Sequence, residues 1–183
     1  MKVERVADMV KNGDVLLYRG TKPHSRFIRW WTQSVYSHVG MAIWVESPPG
    51  HKRLCVIEAL EPGGVRVAPI EHSIEGCQVD WYPIDPSQTN GDDAVRYCLS
   101  KWMQRYSAPR QFLRSYSLIW SHIARYYGLK ADVGYNRFHC SELVTAALVA
   151  AGYNDHECPE PPRSTPGDVA LYTCVHREGR IEI

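Results

Sequence analysis

The stretch FHCSELVTAALVAAG, residues 138–152, decides how the rest of the chain is read. From Leu143 to Val149 almost every residue is apolar, which predicts a helix over residues 140–151 that is buried around most of its circumference. Gly152 is the expected C′ residue, because glycine readily takes the left-handed conformation that closes a helix. Cys140 then falls in the first turn. Unpaired N–H groups and the positive end of the helix dipole favour a thiolate there. The same N–H groups suit the oxyanion that develops in acyl transfer. A cysteine at a helix start is more often structural, so its role depends on what the remaining elements bring to it.

Upstream, residues 37–45 alternate strictly: Val39, Met41, Ile43 and Val45 share one face, and His38, Gly40, Ala42 and Trp44 the other. The small Gly40 and Ala42 leave room for another element beside His38. Residues 53–60 read as a second strand, with Glu58 set among Val56, Ile57, Ala59 and Leu60. A carboxylate in that setting needs a partner, because burying it unpaired is costly. If the two strands pair, Glu58 can accept the imidazole N–H and fix its tautomer. Residues 15–18, 65–70 and 78–84 are further strands, and Pro/Gly turns at 47–50 and 61–64 join them as an antiparallel meander or small barrel.

Residues 26–33 are helix-like and carry Phe27, Ile28, Trp30 and Trp31 among two arginines. Residues 92–106 and 111–127 have apolar residues at helical spacing, residues 159–162 are a Pro-rich loop, and Thr165-Pro166 looks like a cap followed by proline at the first helical position. With no internal repeat, residues 1–183 are read as a single α+β domain. A small antiparallel β-barrel or sheet packs against a helical part bearing the cysteine helix.

Charge sets further bounds. Lys plus Arg number 21 against 20 Asp plus Glu, so net charge points to no nucleic-acid or membrane partner. Between Gly91 and Arg137 the balance shifts to eight basic against three acidic residues, which suits solvated helix faces with a weak attraction for anions or headgroups. No apolar run approaches the ~20 residues of a membrane-spanning helix, and the first 14 residues have no signal-peptide core. A cytoplasmic location without an integral membrane segment is expected. The six cysteines (55, 77, 98, 140, 158 and 174) show neither CxxC nor zinc-site spacing, so thiols are expected, with no metal and no cofactor. Among the other histidines, His24, His51, His72, His156 and His176 sit in loop-like or terminal segments and His122 mid-helix; His139, beside the cysteine, is a secondary candidate.

Taken together, the segments Gly13-Asp14-Val15-Leu16, Tyr36-Ser37-His38-Val39-Gly40-Met41, Val56-Ile57-Glu58-Ala59 and Phe138-His139-Cys140-Ser141-Glu142-Leu143-Val144 form a known pattern. The chain resembles the circularly permuted papain-like cysteine amidases of the NlpC superfamily, the YiiX/YebB-like group, which is related to the lecithin–retinol acyltransferase-like proteins. The histidine strand precedes the cysteine helix, as in the permuted branch. The resemblance spans roughly residues 13–171 and implies a permuted papain-like α+β fold and metal-free cysteine chemistry. It also implies a triad of Cys140, His38 and Glu58, the third position varying among relatives.

The expected function is a cysteine hydrolase, amidase- or peptidase-like, acting through an acyl-enzyme on an amide or ester of a peptide-like or lipid-like small substrate. A lipid-directed acyltransferase or thiol lipase competes with it, as does a catalytically silent binding module. Tyr18 and Ser37 are candidate oxyanion donors beside the Cys140 N–H, and Trp30 and Trp31 are candidates to line an acyl or headgroup site. Relatives differ most across residues 92–135, so the resemblance does not carry the substrate class, and oligomeric state is left open.

Overall fold

Two sets of apolar residues alternate along the strands. Val15, Leu17, Val39, Met41, Ile43, Cys55 and Ile57 enter one core cluster, while Leu16, Tyr18, Ala42, Leu54, Val56, Val79 and Trp81 enter a second. A sheet with two apolar faces has to be covered on both. The computed structural model describes residues 9–47, 49–60, 64–73, 76–101, 139–154, 161 and 164–181. Its strands are β1 (Val15–Gly20), β2 (His38–Ser47), β3 (His51–Leu60), β4 (Gly64–Pro69), β5 (Cys77–Tyr82) and β6 (Gly179–Ile181). They form one six-stranded antiparallel sheet in the order β4-β3-β2-β1-β5-β6. The sheet is open: β4 and β6 are its two edges, so the barrel alternative is corrected to an open sheet. The short β6 had no readable alternation in the sequence.

The described helices are α1 (Pro23–Trp31), α2 (Ile70–Ser73), α3 (Gly91–Ser100), α4 (Cys140–Ala150) and α5 (Pro166–Val169). Helix α1 begins three residues before the expected start, with proline at its first position, where the missing N–H is no loss. Residue 70, read as the end of a strand, instead starts α2. The predicted helix at 111–127, the end of the one at 92–106, His122, His156, Cys158 and most of the Pro-rich loop lie outside the described residues.

Helix α4 matches its expectation closely, and Gly152 has φ +105° beyond its end. Leu143, Val144, Ala147 and Leu148 of α4 and Ala94, Val95 and Cys98 of α3 join Val39, Met41 and Ile43 of β2 in the first cluster. Thr165 caps α5 as expected: its hydroxyl accepts the Asp168 N–H at 3.2 Å, and Asp168 accepts the Thr165 N–H at 2.8 Å. Among the described residues no disulfide forms, and no helix is long and apolar enough to cross a membrane.

One buried charge ties the far side of the sheet together. The side chain of Asp80 on β5 has 0% exposure and accepts from Arg19, Arg177, Arg180 and the Tyr36 hydroxyl. Burial acts to raise its pKa, but the hydrogen bonds from Arg177, Tyr36, Arg19 and Arg180 outweigh it and hold the carboxyl well below its ordinary value.

Candidate active site

His38 is the first residue of β2, facing Tyr18 across the β1–β2 pair with their rings 5.0 Å apart. Gly40, two residues on, explains how an acid reaches it. A Cβ at position 40 would lie 2.5 Å from Val56 Cγ1 and 3.5 Å from Glu58 Cβ, so only glycine lets β3 come this close. Glu58 Oε2 then stands 2.9 Å from His38 Nε2. The glutamate is only 2% exposed and is fully engaged. Arg66, directly opposite it on β4, donates to Oε1 from Nε at 3.0 Å and Nη2 at 2.7 Å, and the Ser73 hydroxyl donates to Oε2 at 3.0 Å. Burial acts to raise the Glu58 pKa, but His38 and Arg66 prevail and keep it below the ordinary carboxylate value.

With Nε2 on Glu58, the other ring nitrogen, Nδ1, is left for Cys140. The cysteine opens α4 and is partly exposed; its thiol is hydrogen-bonded to His38 and accepts from the backbone N–H groups of Val39 and Ser141. The helix start is held by Ser141, whose hydroxyl donates to the Ser164 carbonyl at 2.7 Å, and by Glu142, which accepts the His139 N–H at 3.1 Å. For His38, burial opposes the charged form, yet the Cys140 thiolate and Glu58 outweigh it and push the pKa up to about 10. Burial likewise acts to raise the Cys140 pKa, and the imidazolium with the two N–H groups brings it below the ordinary thiol value. Both shifts run in the direction that favours a thiolate–imidazolium pair.

The other candidates divide. The Tyr18 hydroxyl is buried and bonds Ser73 Oγ at 2.7 Å, extending the Glu58 network rather than meeting the sulfur. Burial, then the charge of Glu58, raises its pKa. Ser37 Oγ accepts the Gly20 N–H at 3.0 Å and donates to the Tyr18 carbonyl at 3.3 Å, joining β1 to the start of β2. Trp30 and Trp31 lie on α1, where they contact each other and Phe27. His139 is the N-cap residue of α4, and the histidine on the thiol is His38. Sequence reading missed Arg66 and Ser73. The signal for Arg66 was present: the 61–64 turn fixes a register in which Glu58 faces a residue of opposite charge.

No family model and no curated protein matches this chain. The fold is similar to that of yiiX. That solved structure, metalloprotein yiiX from Escherichia coli O157:H7, aligns with a TM-score of 0.53 at 20% identity over 77% of this chain and 66% of its own. The chain thus spans just under two thirds of the length of yiiX. Identity this low speaks for the fold and leaves activity to be argued from the site. The YiiX-like relationship expected from segments 36–41 and 138–144 is supported at that level.

Proposed function

We propose that this chain is a cysteine hydrolase of permuted papain-like architecture that cleaves an amide or ester through an acyl-enzyme. The observation that carries the reading is the convergence of Cys140, His38 and Glu58, with the thiol pKa lowered and the imidazole pKa raised. Nucleophilic catalysis requires an activated nucleophile, a base and a group that orients the base. A catalytically silent binding module would not need such a pair at a partly exposed helix start.

In the proposed reaction, the Cys140 thiolate adds to the substrate carbonyl carbon. The negative charge passes to the carbonyl oxygen, for which the Cys140 N–H, in the unpaired first turn of α4, is the donor. The tetrahedral adduct collapses by breaking the C–N or C–O bond, and His38 gives its proton to the departing amine or alcohol. Neutral His38 then takes a proton from water, the hydroxide attacks the thioester, and the acid leaves as the thiolate and imidazolium are restored. Glu58 holds the ring through Nε2 and stabilises its positive charge.

The metal in the name of yiiX does not fit this donor set. Among the described residues no group of three or more His, Cys, Asp and Glu side chains is arranged to hold an ion. His38 and Glu58 are bonded to each other, and Arg66 places a positive charge on the same carboxylate. No step of the reaction is routed through a metal.

The test is turnover of a panel of activated esters and anilides, with intact mass measured during the burst. One acyl adduct should appear on Cys140 in the wild type, and Cys140→Ala should lose both adduct and turnover while keeping its circular dichroism. Equal turnover in Cys140→Ala would overturn the proposal.

A further inference from the structure

Helix α1 turns an unusual face to solvent. Phe27 is 50% and Trp30 70% exposed, and Lys22 and Arg26 beside them are exposed too. At 100° per residue, Arg26, Trp30 and Phe27 fall within an arc of about 100° opposite Ser25. Ser25 is the buried side, lying against Gly20, and Arg29 donates to the Gly20 carbonyl at 3.3 Å. The helix is thus anchored on one side while its aromatic and cationic groups stand outward. No Asp or Glu occurs between Asp14 and Glu46.

We propose that this face of α1 docks the protein on an anionic lipid surface. Amphipathic helices with aromatic residues on one side and Lys or Arg flanking them lie in the membrane interface, where the rings enter the headgroup boundary and the cations meet anionic lipid. A carbohydrate chain is disfavoured as occupant. It would stack on a flat platform, whereas Trp30 is tilted 40° from Phe27 and 59° from Trp31. Charge disfavours the protein itself as occupant. A second copy would bring two cationic faces together, and residues 102–138 contain six Lys/Arg against the single acid Asp132.

The chain just after α1 packs against the same α5 segment that holds the start of α4. Ser34, just beyond α1, lies against Gly167 of α5, and Ser141, next to Cys140, donates to the Ser164 carbonyl just ahead of α5. The docking itself does not depend on thiol chemistry, so the two readings can fail separately.

The experiment is co-sedimentation of the full chain with vesicles of phosphatidylcholine alone and of phosphatidylcholine with phosphatidylglycerol at about 3:1. The expected result is binding to the anionic vesicles only, weakened by salt. The double variant Phe27→Ser, Trp30→Ser should bind about tenfold or more weakly, and Arg26→Gln about fivefold more weakly. Cys140→Ala should bind like the wild type. The proposal is overturned if anionic vesicles bring down no protein, or if the double variant binds them as well as the wild type does. It is equally overturned if insoluble polysaccharide captures the protein and vesicles do not. A double variant that unfolds at lower temperature, or elutes at a different size on gel filtration, would show that the face is covered by this chain or by a second copy.

Discussion

Replacing Glu58 with Gln keeps the side-chain volume and removes the charge on which the site is organised. Glu58 accepts four hydrogen bonds, one from His38, two from Arg66 and one from Ser73. An amide supplies one acceptor oxygen and one donor NH2, so at least one of those four donors must face another donor. Breaking a buried ion pair costs about 3–5 kcal/mol. Arg66, however, is 46% exposed and can turn to water, so about 2–3 kcal/mol is the expected loss of stability. For a chain of this length that lowers Tm by roughly 5–10 °C.

The pH dependence changes in the same variant. The folded-state pKa of Glu58 is depressed, so its contribution is present above the unfolded carboxylate value and is lost as pH falls through the lowered one. Glu58→Gln should lack that acid-side loss. Without the carboxylate the imidazole also loses the negative charge beside it, part of what holds its pKa near 10. Thermal scans at several pH values, with iodoacetamide rates mapped to Cys140 by mass spectrometry, read both effects. Cys140 should react about a hundredfold more slowly at pH 6, from loss of the oriented imidazolium. A Tm within about 1 °C of wild type, together with unchanged reactivity of Cys140, would refute the assignment of Glu58.

Two other substitutions probe the frame around the site. Asp80→Ala leaves Arg19, Arg177 and Arg180 without their shared buried carboxylate, and should cost about 3 kcal/mol in urea unfolding at pH 7. The cost should shrink as pH falls through the depressed pKa of Asp80; a cost that stays constant into strong acid would count against the buried cluster. Gly40→Ala sets a Cβ 2.5 Å from Val56 Cγ1 and should destabilise by about 1–3 kcal/mol while slowing alkylation of Cys140. Wild-type stability and reactivity in that variant would mean β3 does not need glycine at this approach.

Helix α4 was legible because a long apolar run ended by glycine leaves few alternatives, and it placed Cys140 at a helix start. The β2 alternation set His38 apart from Val39 and Met41, and a lone acid in an apolar strand marked Glu58. These three residues meet as expected. The pairing order of β5 and β6 depends on long-range contacts that local patterns do not encode, and β6 is three residues long. Ser73 sits on a single-turn helix that the strand reading had begun to absorb at residue 70. Tyr18 was noticed for a hydroxyl near the site, but only the fold reveals that the hydroxyl turns to Ser73. Asp80 gave no signal, since Arg177 and Arg180 reach it from nearly a hundred residues away in sequence.

The most direct test of the central claim is the pH profile of iodoacetamide alkylation at each cysteine, in wild type and in His38→Ala. An ordinary thiol titrates near ~8.5, and an imidazole-paired one at roughly 3.5–7.5. Cys140 of the wild type should react well below pH 7, while Cys98, whose pKa burial pushes up to about 12, stays silent. In His38→Ala the Cys140 profile should move up toward that of an ordinary thiol. A Cys140 that titrates as an ordinary thiol in the wild type, or whose profile is unmoved by the loss of His38, would contradict the thiolate–imidazolium pair.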